Sequence, residues 1–97
     1  MNIPTKIRIL GQQWSVLWQP HLAGSDGKAL LGLMDDETNT ITLRSNLRPN
    51  QMASTFLHEI IEALVASCDL KINHSTIATL ESGLYQVLKD NKLDFSQ

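Results

Sequence analysis

The segment from His58 to Glu62 has the residue types and spacing of a metal-dependent hydrolase site. It reads His-Glu-Ile-Ile-Glu, one residue away from the H-E-x-x-H signature of zinc hydrolases. In that signature two metal ligands lie four residues apart on one helix face, and the glutamate after the first ligand takes a proton from water. Here the second ligand position holds Glu62, and a carboxylate oxygen also binds zinc. The segment therefore predicts a Zn²⁺ site on His58 and Glu62, with Glu59 as the general base.

The second predicted helix offers further ligands. His74 and Glu81 are seven residues apart, so they share a helix face two turns apart. In an antiparallel helical hairpin this face could lie opposite His58 and Glu62. We expect either His74 or Glu81 to be the third ligand. If both bind the metal, Glu81 would be the fourth and less favoured ligand. Three protein ligands and an open position would suit hydrolysis of a peptide bond.

The same residues have two simpler interpretations. His58, Glu59 and Glu62 also fit the ordinary solvated face of an amphipathic helix. A metal held there could be purely structural, joining two helices of a small domain. The chain could also be a catalytically inactive protein-binding module. Cys68 falls on the apolar stripe, which favours a core position over a nucleophile.

The elements that must position these residues divide the chain into two halves. Residues 1–47 alternate in polarity and contain turn residues, which predicts strands over 5–10, 14–18, 29–34 and 40–43. A turn at Gly11 to Gln13 would join the first two strands, and residues 35–39 would join the last two. The expected fold class is α+β, with a small antiparallel sheet of three to four strands covered on one face. We expect residues 40–43 to have a free edge for an extended peptide.

Residues 49–91 predict a hairpin of two helices, followed by a tail over residues 92–97. Pro49 suits a first helical turn, and residues 69–73 interrupt the pattern. Asn73 can cap the second helix, with Ser75 as the alternative. The apolar stripes of the two helices are expected to form one core, and its members are Phe56, Ile60, Leu64, Ile77, Leu80, Leu84 and Leu88.

Composition limits the class of protein. A chain of 97 residues with 42% hydrophobic residues predicts a single small domain, 1–97. The net charge of −2 argues against a nucleic-acid partner. The one cysteine fits a reduced, cytoplasmic setting, and we expect neither a signal peptide nor a membrane partner. The partner expected instead is a peptide or protein substrate, and the sequence indicates no oligomeric state.

The chain resembles small phage and prophage proteins related to the ImmA/IrrE-type minimal zincins. The strongest similarity is in Thr55 to Leu64, and weaker similarities lie in residues 7–18, 31–35, 39–43, 47–49 and 83–91. The resemblance implies a zinc metallopeptidase, with the active-site helix against a small twisted sheet and a second helix behind. If the protein is phage-encoded, its location would be the host cytoplasm.

Two departures from the zincin pattern change the expected ligands. Glu62 stands where the family has its second histidine, and the family's second-helix glutamate falls near Ala78, which cannot bind metal. His74 lies one turn before Ala78, and Glu81 lies one turn after it. We expect an exchange of positions in which His58, Glu62 and His74 keep the family's two histidines and one carboxylate.

Overall fold

A computed structural model describes residues 2–93 of the chain. The fold is α+β, with a four-stranded sheet followed by two helices. In chain order the elements are β1 (Lys6–Ile9), β2 (Gln12–Gln19), β3 (Gly32–Asp35), β4 (Thr40–Arg44), α1 (Pro49–Ser67) and α2 (His74–Asp90). The predicted tail lies mostly outside this range, since residues 94–97 are not among the described residues.

The predicted hairpin of the first two strands is confirmed. β1 and β2 are antiparallel, with Ile9 opposite Gln12, so Leu10 and Gly11 alone form the turn. Their φ angles of 50° and 80° are both positive, as a two-residue hairpin turn of the favoured type requires. Glycine adopts this conformation without steric cost, which explains why the turn lies one residue earlier than Gly11 to Gln13.

The predicted antiparallel sheet is wrong in one of its three pairings. The strand order is β1-β2-β4-β3, and β4 runs parallel to β2 with Val16 opposite Ile41. The sheet is therefore mixed. The cause is the long connection after β2, which contains β3 and allows β4 to return in the direction of β2. The β3–β4 hairpin itself is antiparallel, as expected.

The prediction that residues 40–43 have a free edge is also wrong, because β4 lies between β2 and β3. Ile41, Thr42 and Leu43 are all buried, so this strand is apolar enough to occupy the interior of the sheet. The outer position beside β4 belongs to β3, whose Leu33 is 40% exposed. β3, and not β4, is the sheet edge on the side of the helices.

Helix α1 packs on β3 and β4 and also contacts α2. Its buried face is formed by Ala53, Thr55, Phe56, Glu59 and Ala63, whereas Ile60 and Leu64 are only half-buried. Ile60 and Leu64 were both predicted to belong to the core, so the face that meets the sheet is rotated from the expected one. The alanines at both ends of this face let the helix approach the strands closely.

Helix α2 runs antiparallel to α1, as predicted. Tyr85 Oη donates to Asn50 Oδ1 at 3.3 Å near one end of the pair, and His74 lies 3.3 Å from Glu62 near the other. The expected core is only partly confirmed on this helix. Ile77 is buried, but Leu80 and Leu84 are 53% and 43% exposed. These leucines line an open groove beside Ile61 of α1, and no further layer covers this groove within residues 2–93.

The expectation that Cys68 belongs to the core is wrong. Cys68 is the C-cap residue of α1, and it is exposed. The helix ends at Ser67, so the apolar pattern continues past the point where the backbone turns away from the core. As for the membrane, neither helix found in residues 2–93 has the length and apolarity needed to span one.

Candidate metal centre

His58 and Glu62 are brought together by the turn of α1. They are four residues apart, so their side chains lie on neighbouring positions of one helix face. His58 Nε2 is 3.7 Å from Glu62 Oε1, and the two side chains are 12% and 26% exposed. The histidine is therefore largely buried between the helices, which contradicts the solvated-face interpretation for this residue.

His74 reaches the same carboxylate from the start of α2. Asn73 is the N-cap, as predicted, and its side chain accepts a hydrogen bond from the Thr76 N–H at 2.8 Å. His74 is therefore the first residue of the helix, and its side chain is 77% exposed. His74 Nδ1 lies 3.3 Å from Glu62 Oε1, and its ring stands edge-on to that of His58 with 4.8 Å between centroids.

His58, Glu62 and His74 form a group that could hold a metal ion. One ligand atom from each lies within 4.8 Å of the other two. Ligand atoms around a tetrahedral zinc ion, at about 2.0–2.2 Å from it, are roughly 3.3–3.6 Å apart. The separations of 3.7 and 3.3 Å from Glu62 Oε1 to the two histidine nitrogens are close to that value. The two histidine nitrogens lie within 4.8 Å of each other, and two imidazoles with one carboxylate are a donor set that zinc accepts.

Glu59 differs from His58 and Glu62 on the same helix because its side chain faces the sheet. It is only 7% exposed, although it carries a carboxyl group. The pKa of Glu59 is raised from its ordinary 4.5 to about 7. Burial is the larger cause, and the nearby Glu62 carboxylate is the smaller one. A carboxyl group with a pKa near neutrality can both accept and release a proton at neutral pH. The structure thus places the predicted general base in the interior and not on the solvated face.

The backbone of β3 leaves room for Glu59 at Gly32. A Cβ built on Gly32 would lie 2.7 Å from Thr55 Cγ2, 3.0 Å from Glu59 Cγ and 3.2 Å from Glu59 Oε2. Any larger residue would therefore force the Thr55 and Glu59 side chains, or α1 itself, to shift. Beside this contact is a cavity of about 230 Å³, lined by Ala29, Leu30, Leu31, Gly32, Thr55, His58, Glu59, His74 and Glu81. The candidate base and two candidate ligands thus open onto one space.

Glu81 lies on the other side of His58. Its Oε1 atom is 3.7 Å from His58 Nδ1, whereas Glu62 faces Nε2 of the same ring. Ser54 Oγ donates a hydrogen bond of 2.6 Å to Glu81 Oε2. Glu81 was expected as a third or fourth ligand, but it does not belong to the group whose ligand atoms converge.

Sequence reasoning missed three residues of this region. Ser54 and Thr55 precede the motif and have no signature of their own, and Gly32 was assigned only to a strand. A glycine inside a predicted strand is a general signal for close approach of another group, and that signal was available at Gly32. The partner of Gly32, Glu59, could not be identified without knowing which strand α1 covers.

No protein-family model matches the chain, and neither a curated protein nor a solved structure is significantly similar to it. The resemblance to minimal zincins therefore stays a prediction, and the geometry of the site has to carry the functional argument.

Proposed function

We propose that this protein is a zinc-dependent hydrolase of peptide bonds, with His58, Glu62 and His74 as metal ligands and Glu59 as general base. One observation carries the proposal: His58 and His74, the two histidines of a convergent His-Glu-His group, line the same cavity as the buried Glu59. A surface cluster formed by chance would not be expected to place a carboxyl group in the interior beside it, because burying such a group without a function is costly.

The roles follow from what each side chain faces. Zinc bound by the group would act as a Lewis acid on water and on the substrate carbonyl. Glu59 follows His58 directly and points into the cavity from the sheet side, so it is placed to accept a proton from water without being a ligand. Gly32, in β3, lies close to the Glu59 side chain, since a Cβ built there would be 3.2 Å from Glu59 Oε2. Burial also keeps bulk water away from this carboxyl group, which strengthens its interaction with a developing charge.

The edge of β3 supports a peptide as substrate. In the antiparallel pairing with β4, Arg44 N–H donates to the Leu31 carbonyl at 2.8 Å, so alternate residues 31, 33 and 35 direct their backbone groups toward β4. The backbone groups of Gly32 and Met34 consequently point to the outer edge, with which no other described strand pairs. An extended peptide added there would run past Gly32 and therefore past Glu59.

The test is zinc content measured beside hydrolysis of a peptide library. Protein purified without added metal and then loaded with zinc should bind one equivalent and cleave a subset of peptides. Glu59→Gln keeps the shape and removes the basicity, so it should abolish cleavage and leave the zinc stoichiometry unchanged. His58→Ala should remove both. Glu37→Gln is the matched control, because Glu37 is an exposed carboxylate in the β3–β4 turn, and it should change neither. Parent-like cleavage by Glu59→Gln would refute the assignment of the base.

A second candidate is a structural metal site that joins the two helices. It is favoured by the position of the ligands, because His58 and Glu62 belong to α1 while His74 begins α2, whose only buried described residue is Ile77. One bound zinc with a large rise in Tm, and no cleavage of any peptide, would support this function over hydrolysis. If the protein binds no zinc and cleaves no peptide, the result would support a protein-binding module that uses the β3 edge.

A further inference from the structure

Glu81 lies beside Nδ1 of His58, whereas the proposed metal ligand Glu62 lies beside Nε2. Its Oε1 is 3.7 Å from His58 Nδ1, and its Oε2 accepts the 2.6 Å hydrogen bond from Ser54. The histidine and glutamate side chains are only 12% and 13% exposed, so solvent competes weakly for this contact. We propose that Glu81 is a positioning residue that holds the proton of His58 on Nδ1 and leaves Nε2 free to bind metal. This inference rests on the proposed function, because it concerns the same site.

The two ring nitrogens of a neutral histidine have different roles. One carries the proton and donates a hydrogen bond, and the other presents a lone pair to a metal. A carboxylate beside Nδ1 favours the tautomer protonated there. Metal-binding histidines usually donate from their second nitrogen to such a partner, which fixes the ring and increases its basicity. The separation of 3.7 Å is longer than a hydrogen bond, but contacts of this kind are often long without the ligand and shorten when it binds.

Comparison with Glu62 separates a positioning residue from a ligand. The Oε1 atom of Glu62 lies near nitrogens of two histidines from two helices, as a shared ligand centre requires. Glu81 meets a single histidine nitrogen, and that nitrogen points away from Glu62. Its second oxygen is already engaged by Ser54, which holds the carboxylate in its orientation. Ser54 thus has a supporting role: it orients Glu81, which in turn orients His58.

The test combines a metal-free measurement with a zinc titration. Long-range proton–nitrogen NMR at a pH where imidazole is neutral reports the tautomer of His58 directly. We expect the parent to show the proton on Nδ1, and Glu81→Ala to show a mixture of both tautomers.

Zinc affinity, measured by competition with a chromogenic chelator, should fall about 10- to 100-fold in Glu81→Ala with the stoichiometry unchanged. Glu81→Gln should recover part of the loss, because an amide oxygen still accepts the hydrogen bond without the charge. Ser54→Ala should have a smaller effect than Glu81→Ala.

The outcomes that overturn the inference differ from those that overturn the proposed function. An unchanged tautomer together with unchanged zinc affinity in Glu81→Ala would exclude a positioning role. Loss of the bound zinc in Glu81→Ala, with Glu62→Ala still binding one equivalent, would make Glu81 a ligand and also overturn it. If the parent binds no zinc, the proposed function fails, but the metal-free tautomer of His58 still tests the Glu81 contact. Circular dichroism of each variant separates these results from unfolding.

Discussion

Helices α1 and α2 have similar apolar stripes in sequence but very different environments in the fold. α1 lies between the sheet and α2, and five of its residues are buried. α2 packs on α1, and of its described residues only Ile77 is buried. An amphipathic pattern therefore shows that a helix has an apolar face, but not which neighbour covers that face or how completely. The number of layers around the helix decides this.

The largest difference between the two helices should appear in stability. Phe56→Ala removes a side chain that is 3% exposed in the main core, so it should lower the free energy of unfolding by about 3–5 kcal/mol. Leu84→Ala is the matched change on α2, where the side chain is 43% exposed, and it should cost less than about 1 kcal/mol. Urea denaturation of both variants measures these values. Equal losses would mean that Leu84 is covered in solution and that the comparison is wrong.

The buried face of α1 also includes an ionisable group, which makes stability depend on pH. The folded-state pKa of Glu59 is about 7, raised from 4.5, so the folded protein keeps this proton to higher pH than the unfolded chain does. The contribution of Glu59 to stability is complete below about pH 4.5 and is lost as the pH rises through about 7. A shift of this size corresponds to roughly 3 kcal/mol.

The measurement is the free energy of unfolding of chelator-treated protein between about pH 4.5 and 8, because a bound cation would favour the ionised carboxylate. We expect Glu59→Gln to flatten the decline, while the exposed Glu37→Gln variant keeps it. A decline that persists unchanged in Glu59→Gln would assign it to another group.

The difference between the helices also explains which features could be predicted from the sequence. Local signals were sufficient for the β1–β2 hairpin, the β3–β4 hairpin, the Asn73 cap and the proximity of His58, Glu62 and His74, because each depends on near neighbours or on one antiparallel hairpin. The parallel β2–β4 pairing depends on contacts distant in sequence, which no local pattern encodes. The burial of Glu59 depends in turn on which strand lies under α1, so it could not be predicted before the strand order was known.

Gly32 tests how closely α1 approaches the sheet. The added methyl group of Gly32→Ala would lie 2.7 Å from Thr55 Cγ2 and 3.0 Å from Glu59 Cγ, which is too close for carbon atoms. Because the Thr55 and Glu59 side chains or α1 itself must shift, we expect a loss of about 1–3 kcal/mol from overpacking. Zinc affinity should fall in the same variant, since Glu59 and Thr55 line the cavity next to His58. Parent-like stability and zinc affinity would show that the helix does not rest on this strand.

Gly83 of α2 contrasts with Gly32 of β3, because its replacement by alanine should stabilise the protein. It lies inside the helix, and a Cβ built there meets no atom within 4 Å. Glycine lowers helix stability relative to alanine by about 0.5–1 kcal/mol, so Gly83→Ala should raise the free energy of unfolding by that amount. Thermal unfolding at several protein concentrations is the measurement, with Gly32→Ala as the contrasting variant.

A destabilised Gly83→Ala would indicate that another surface packs on this face of α2 in solution. A Tm that rises with protein concentration in the parent, but not in Gly83→Ala, would identify that surface as a second copy of the chain. In that case α2 would be an interior helix like α1, and the exposure of Leu80 and Leu84 would belong to the isolated chain only.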